Sequence, residues 1–444
     1  MKVLIIGSGG REHAMAWKVA QSPRLSKLYI APGNAGTAAC GENISLDMND
    51  HAGIARFCAE KQIDMVLVGP EAPLADGLAD ALSAGGTRCF GPRQAAAQIE
   101  ASKVFAKDFM QRLGIPTARY AAFTDFETAA AHLRAVDYPV VIKASGLAAG
   151  KGVLLPGTDV EAESALRQVM VEREFGAAGE AVVIEECMRG PEVTLLAFSD
   201  GTTVKPMPAC QDHKRALDGD QGLNTGGMGA YAPVPVCPPE MVDELLRIAL
   251  QPCVEGLRAE GSPFVGVLYG GFMLTAEGPR VVEFNCRFGD PEAQVVLPML
   301  ETDLLEVALA CTEGRLADLD IHWKTGAAAC VVLASGGYPG KYETGISIQG
   351  LENEQEDAFV FHAGTKSRHG RVLTSGGRVL SVTGTGVTIR DALQTAYSRI
   401  ESIKFDKMHY RRDIGHRVLS TTDFQTDKRT QTDSKLRGAL YGEN

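Results

Sequence analysis

Short apolar runs broken by glycine or proline turns recur along the first hundred residues. Val3-Leu4-Ile5-Ile6 ends at Gly7-Ser8-Gly9-Gly10, and the periodicity then predicts a helix over 12–20. Further strands are predicted at 27–31, 65–68 and 88–90, each ending at a loop: Pro32-Gly33-Asn34, Gly69-Pro70-Glu71 and Gly91-Pro92. Strands alternating with helices at this pace predict a parallel sheet with helices on both faces. The pattern changes near residue 100, with a helix over 102–113, a Gly114-Ile115-Pro116 break and a strand over 139–143. Strands at 181–185, 193–198 and 281–284 follow among glycine-rich loops. From Thr325, a strand at 328–333, turns at Gly336 to Gly340 and Ser375 to Arg378, and a helix over 389–400 predict a small α+β domain. From Asp423 the chain is polar and without period, which reads as a loosely ordered tail.

Composition narrows the classes. The 444 residues are 45% hydrophobic and 22% charged, enough for several domains. With 44 Lys and Arg against 55 Asp and Glu the net charge is -11, which argues against a nucleic-acid partner and makes any phosphate binding local. No apolar run approaches the roughly 18 residues of a membrane helix, and no signal-peptide pattern precedes the first strand. The expectation is a soluble cytoplasmic protein without a membrane partner. The closest of the ten cysteines, Cys237 and Cys253, are too far apart for a zinc or redox pair, and the nine histidines show no ligand spacing.

The first glycine turn invites a dinucleotide reading, because a helix N-terminus after a strand suits a phosphate. Glu12 stands where the third glycine would fall, and no acidic residue ends the second strand, so the fingerprint is broken. Gly9, Gly10 and Arg11 still suit an anion such as a sugar phosphate. Asn34 and Glu71, at predicted strand ends, could hydrogen-bond ribose hydroxyls, and equally could be an Asx turn and a solvated carboxylate.

Lys143 is followed by Ala144-Ser145-Gly146-Leu147-Ala148-Ala149-Gly150-Lys151-Gly152. This is not a Walker A loop: three residues separate the glycines, and Gly152 follows the lysine. Small residues nevertheless let backbone N–H groups approach phosphates, and two lysines offset their charge. Glu185-Glu186-Cys187-Met188, with Glu192 beyond, could present a strand edge to adenine and a carboxylate to ribose. Gln211-Asp212-His213-Lys214-Arg215, ahead of the loop Asn224-Thr225-Gly226-Gly227-Met228-Gly229, suggests an anionic-substrate site. In Val281-Val282-Glu283-Phe284-Asn285-Cys286-Arg287, two-residue alternation predicts Glu283, Asn285 and Arg287 on one strand face, with oxygen ligands for Mg2+ and an arginine for phosphoryl charge.

The lysine and glycine loop, the strand-end hinge and the late Glu-x-Asn-x-Arg strand, in this order, resemble the ATP-grasp ligases. The opening strand and glycine turn, Ala31 to Gly36, Val68 to Glu71, Gln211 to Arg215, Asn224 to Tyr231 and Glu283 to Glu292 resemble the phosphoribosylamine–glycine ligase family over residues 1–417. One departure is Ser145, where that family's loop has Asp.

The resemblance implies a multidomain α/β and α+β architecture. Residues 1–101 would form a preATP-grasp parallel-sheet domain, and residues 102–324 a split ATP-grasp domain with a lid near 120–190. Residues 325–422 would form a small C-terminal α+β domain, with 423–444 as the tail. It also implies ATP-dependent ligation of glycine to 5-phosphoribosylamine, with Mg2+ or Mn2+, by a monomer or weak homodimer. Glu283 and Asn285 would hold the metal. Lys103, Lys143, Gly146, Gly150, Lys151 and Gly152 would hold phosphates, and Glu185, Glu186, Cys187, Met188 and Glu192 the adenosine. Arg287, Asp212, Lys214 and Asp290 would serve the chemistry. Gly9, Gly10, Arg11, Asn34, Glu71, Arg215, Thr225, Gly226, Gly227, Met228 and Gly229 would contact the other substrates.

Overall fold

The computed structural model describes residues 1–148, 151–353 and 355–419. The tail expected from Asp423, and Gly150 of the glycine loop, lie outside these residues.

Residues Val3, Leu4, Ile5 and Ile6 are fully buried, because helices cover both faces of the sheet they enter. The N-terminal sheet has five parallel strands in the order Glu42–Asn43, Lys27–Pro32, Lys2–Gly7, Met65–Val68, Arg88–Phe90. The order reverses between Lys2–Gly7 and Met65–Val68, the place where open α/β sheets take ligands. Here the Glu12 side chain of helix Gly10–Val19 fills the crevice. A Cβ on Gly7 would lie 2.4 Å from Glu12 Cγ, and one on Gly69 would lie 2.0 Å from Glu12 Oε1. Gly7 also has φ +125°, which glycine alone adopts freely.

Two antiparallel sheets follow. One runs Val204–Pro206, Glu192–Asp200, Val265–Thr275, Gly278–Asn285. The other, Tyr120–Phe123, Val182–Glu186, Val140–Ala144, Val153–Leu154, packs on helices Phe126–Ala135 and Asp159–Met170. This smaller unit has its own core, including Ile142, Leu166, Val169 and Val182, each fully buried. At about 1.5–3 kcal/mol per buried aliphatic side chain, that core favours movement of the unit as one body. Helix Lys103–Leu113 precedes it, capped by Ser102, whose Oγ accepts from Phe105 N at 3.2 Å, and ended by Gly114 at φ +67°.

The last five-stranded sheet has the order Gln211–Asp212, Gly229–Ala232, Ala327–Ala334, Arg378–Gly386, Ala358–His362. Its first two strands come from before residue 325, so the sheet crosses the boundary expected there. Helix Ile389–Ile400 buries Ala392, Leu393, Ala396 and Ile400, an amphipathic spacing, and Thr388 caps it with Asp391. Strand Gly278–Asn285 ends before Arg287, so the expected face carries Glu283 and Asn285 only, with Arg287 beyond its end. Strand Val265–Thr275 was not foreseen. Among the described residues no helix is long and apolar enough to cross a membrane.

Candidate active site

A cavity of about 630 Å³ is lined from all parts of the chain. The N-terminal region supplies Arg11, Glu71 and Glu100, and helix Lys103–Leu113 supplies Lys103 and Lys107. The smaller antiparallel unit contributes Lys143, Gly152 and residues 185–188. The strand end brings Glu283, Asn285, Arg287, Asp290 and Glu292, and the C-terminal sheet brings Asp212 and Arg378.

Lysines gather at one end. Lys107 Nζ and Lys143 Nζ each lie 3.0 Å from Glu185 Oε2, with all three side chains nearly inaccessible. Lys143 also donates to Val282 O at 3.3 Å. Burial pulls Lys107 down to about 8, and burial likewise lowers Lys103. Lys103 Nζ donates to Gly146 O at 3.3 Å. Glu185 therefore anchors lysines instead of standing open to a ribose, as the sequence reading had it. Glu186 is likewise tied to Arg119 and Arg280. Ser145 is buried, and its Oγ accepts from Val104 N at 3.3 Å at the start of the lysine-bearing helix.

Glu283 makes no hydrogen bond or ion pair among the described residues. Burial opposes its charge, but Lys214, Lys143, Lys103 and Arg287 outweigh that and hold its carboxyl below the usual range. Beside it, the Asn285 amide is best satisfied with Nδ2 donating to Glu100 Oε1 at 3.0 Å and Phe284 O at 3.3 Å, which turns Oδ1 away from them. One free carboxylate and one amide oxygen, both hard ligands on one strand, fit a divalent cation shared with phosphates. No cluster of three or more His, Cys, Asp or Glu suited to a metal occurs among the described residues.

Arg287 pairs with Glu100 at 2.7 Å and Glu71 at 3.4 Å. Glu100 also accepts from Cys286 N at 2.6 Å. Burial raises Glu100 despite Arg287, whereas Arg287 and Arg11 overcome burial and lower Glu71. Lys214 Nζ meets Glu192 Oε2 at 2.8 Å, so each satisfies the other. Burial opposes the Lys214 charge, yet Asp212 and Glu192 keep it well above the ordinary range. Burial raises Asp212 and, with Asp212 beside it, lifts Glu292 to about 7. Asp290 is held low against burial by Arg378 and Arg11, and Gln294 Nε2 donates to it at 2.8 Å.

Several candidates lie outside the cavity lining. Gly9 N donates to Glu12 Oε2, so the glutamate already occupies the helix N-terminus expected to hold an anion. A Cβ on Gly10 would lie 2.4 Å from Gln294 Nε2, which makes this glycine a packing residue. Asn34 is buried and fully engaged: Nδ2 donates to Ser8 O and His362 O, and Oδ1 accepts from Gly36 N and Thr37 N. That is the Asx-turn alternative, stabilising the loop rather than facing a ligand. Arg215 donates to Gly222 O at 2.8 Å, away from the cavity. Thr225 and Gly226 line it, while Gly227, Met228 and Gly229 pack behind them, Met228 being fully buried. Gly146 and the exposed Lys151 are also outside the lining, whereas Cys187, Met188 and Glu192 are in it.

The sequence reading passed over Glu100, Lys107, Tyr269 and Arg378 as site residues. Lys107 had a usable signal, four residues after Lys103 and hence on the same helix face. Glu292, the last residue of the Glu283 to Glu292 stretch, also lines the cavity.

A lid-like antiparallel unit and a larger antiparallel sheet enclosing lysines and a Glu-x-Asn pair define an ATP-grasp protein. Biotin carboxylase of Campylobacter jejuni shares this fold at TM-score 0.72 and 12% identity, covering 96% of this chain and 98% of that one. The chain belongs to the phosphoribosylglycinamide synthetase family: its N domain matches residues 1–100, its ATP-grasp (A) domain residues 101–293 and its C domain residues 328–417. The phosphoribosylamine–glycine ligase of Allochromatium vinosum is 50% identical over 424 residues, covering 95% of this chain and 99% of that protein. The trifunctional purine biosynthetic protein adenosine-3 of Gallus gallus is also 50% identical over 424 residues. This chain, 94% of which is aligned, spans only 42% of that longer relative. The solved phosphoribosylamine–glycine ligase of Thermotoga maritima superposes with TM-score 0.81 at 33% identity, covering 93% of this chain and 100% of that one.

Proposed function

We propose that the chain joins glycine to 5-phosphoribosylamine at the expense of ATP, giving glycinamide ribonucleotide, ADP and phosphate. The observation that carries this is the single cavity in which N-terminal Arg11 and Glu71 meet Lys143, Glu283, Asn285 and Arg287. A sugar-phosphate amine, an amino acid and a nucleotide all need to reach one space.

The chemistry follows from charge. A carboxylate oxygen is a poor leaving group, so glycine must first take the γ-phosphoryl group as glycyl phosphate. Lys103 and Lys143 would bind nucleotide phosphates, and Glu283 with Asn285 would hold Mg2+ or Mn2+. The cation supplies charge neutralisation at phosphate oxygens. Arg287, kept charged by Glu100 and Glu71, would stabilise the transferred phosphoryl group. Arg11 and Glu71 would orient the ribose phosphate, and Asp212, Lys214 and Asp290 the reacting amine and glycine. Closure of the unit around 120–190 would exclude water from the acyl phosphate. The reading extends to a cytoplasmic enzyme of small-molecule substrates, monomeric or a weak homodimer, with domains bounded near 101, 324 and 422.

The test is ADP release with Mg-ATP and glycine, with 5-phosphoribosylamine generated from ribose 5-phosphate and ammonia. Glycinamide ribonucleotide matching ADP one to one by mass spectrometry is expected. ATP binding without that product, under conditions where an authentic ligase works, defeats the reading.

A further inference from the structure

The proposed ligation leaves one proton without an assigned acceptor. When the amine nitrogen attacks the glycyl carbonyl carbon, a C–N bond forms and the C–O bond to phosphate breaks, phosphate leaving with the electron pair. The nitrogen begins with two hydrogens and ends, as an amide, with one. A base in the cavity must take the other.

Most cavity carboxylates are already committed. Glu185 bridges Lys107 and Lys143, Glu186 holds Arg119 and Arg280, and Glu192 holds Lys214. Glu71 and Glu100 hold Arg287, and Asp290 lies 3.3 Å from Arg378. Glu283 is the cation ligand of the reading above. Apart from Glu283, only Asp212 and Glu292 of the cavity carboxylates are without an ion pair among the described residues.

Geometry separates these two. Burial raises Asp212 as well, but the Lys214 charge partly offsets that rise. Besides burial, Glu292 is influenced mainly by Asp212, Tyr269 and Arg287. Its Oε1 accepts from Tyr269 Oη at 3.1 Å, and that hydroxyl lies 3.0 Å from Thr194 Oγ1, so the carboxylate is fixed from strand Val265–Thr275. Glu292 is only 3% exposed, yet it lines the cavity together with Tyr269, Asp212 and Arg287. We propose that Glu292 is the general base that accepts the amine proton during C–N bond formation, and afterwards releases it to solvent.

The proposal rests on the ligase reading. Burial and the neighbouring Asp212 lift Glu292 to about 7, close to the working pH at which a base is most effective. The other groups that sense its charge are Tyr269, Cys210, Arg287 and Arg378. Of these, Arg287 and Arg378 remain charged throughout the range in which Glu292 titrates.

The experiment compares the wild type with Glu292→Gln in two assays. With Mg-ATP and glycine alone, scrambling of 18O from the β,γ-bridge of ATP reports reversible glycyl phosphate formation. With 5-phosphoribosylamine added, glycinamide ribonucleotide reports ligation. Scrambling within about threefold of wild type and ligation reduced about a hundredfold or more are expected. Ligation within threefold of wild type overturns the proposal, and so does an equal loss of both reactions, which a merely structural role would produce.

Should Glu292→Gln not fold, Tyr269→Phe decides. It keeps the carboxylate but removes a hydrogen bond to its ionised form, so the acid limb of the ligation pH profile should move to higher pH. An unmoved limb overturns the proposal. A wild type that makes no glycinamide ribonucleotide defeats the functional reading and the proposal with it, whereas a working wild type with an unimpaired variant defeats the proposal alone.

Discussion

Lys107, from helix Lys103–Leu113, and Lys143, from the strand paired with that of Glu185, converge on one oxygen of Glu185, each at 3.0 Å. Lys107 and Glu185 are 2% exposed and Lys143 is 5% exposed, so removing the carboxylate leaves two buried ammonium groups without their counter-charge. Glu185→Gln should destabilise the fold by about 2–3 kcal/mol, held to that because Lys107 can release its proton instead of staying charged. Urea unfolding at neutral pH measures this. A loss below about 0.5 kcal/mol would show that the triad contributes little.

Glu283 is the cavity carboxylate with three lysines and an arginine lowering its pKa and no direct partner among the described residues. Its replacement should therefore affect a bound cation far more than the fold. Glu283→Gln is expected to weaken Mn2+ binding, read by electron paramagnetic resonance in the presence of ADP, and to lower turnover by about a hundredfold. Its melting temperature should stay within a few degrees of wild type. Unchanged Mn2+ affinity would remove Glu283 from the cation site.

How much of this was legible in the chain depended on how local each signal was. The strands around Val3 and Met65 were readable because burial on both faces demands continuous apolar runs. Strand Val265–Thr275 was hidden because Gly266, Gly270 and Gly271 interrupt its pattern. Residues 211–212 and 229–232 gave no sign of joining the C-terminal sheet, since that pairing links distant segments. In the site, Lys143 and the Glu283-Asn285 pair stood in recognisable local patterns. Glu100 and Arg378 did not: each is a lone charge in an ordinary helix or turn. Their importance lies in partners far along the chain, Cys286 and Arg287 for one, Asp290 for the other. Asn34 illustrates the reverse, a residue with a persuasive position whose amide is consumed by its own loop and by His362.

The glycines flanking Glu12 carry a steric prediction. Glu12 Oε1 is held by Arg11 Nε at 2.6 Å and Oε2 by Gly9 N, so the carboxylate cannot swing aside freely. A methyl group on Gly69 would fall 2.0 Å from Oε1. Gly69→Ala should cost about 1–3 kcal/mol by overpacking, seen as a lower urea midpoint with an unchanged slope. Wild-type stability would mean that Glu12 has room to move, and that the crevice is open to a ligand after all.

His13 and His362 give the chain a pH dependence of calculable sign. His362 N donates to His13 Nδ1 at 2.7 Å, which requires that nitrogen to be unprotonated, and both rings are buried. Burial, with His362 adding repulsion, lowers His13 to about 3, and burial lowers His362 to about 4. In the unfolded chain both titrate near 6.5, so below that pH the unfolded state binds more protons and stability falls as pH falls. The loss begins near pH 6.5 and continues until the folded-state values are reached. For His13 alone it amounts to about 2 kcal/mol by pH 5, at about 1.4 kcal/mol per unit. His13→Asn offers a side-chain oxygen to His362 N but has no titrating ring. Between pH 7.5 and 5 its unfolding free energy should decline less steeply than that of wild type by about this amount. Parallel declines in the two proteins would show that His13 is not the proton-linked group.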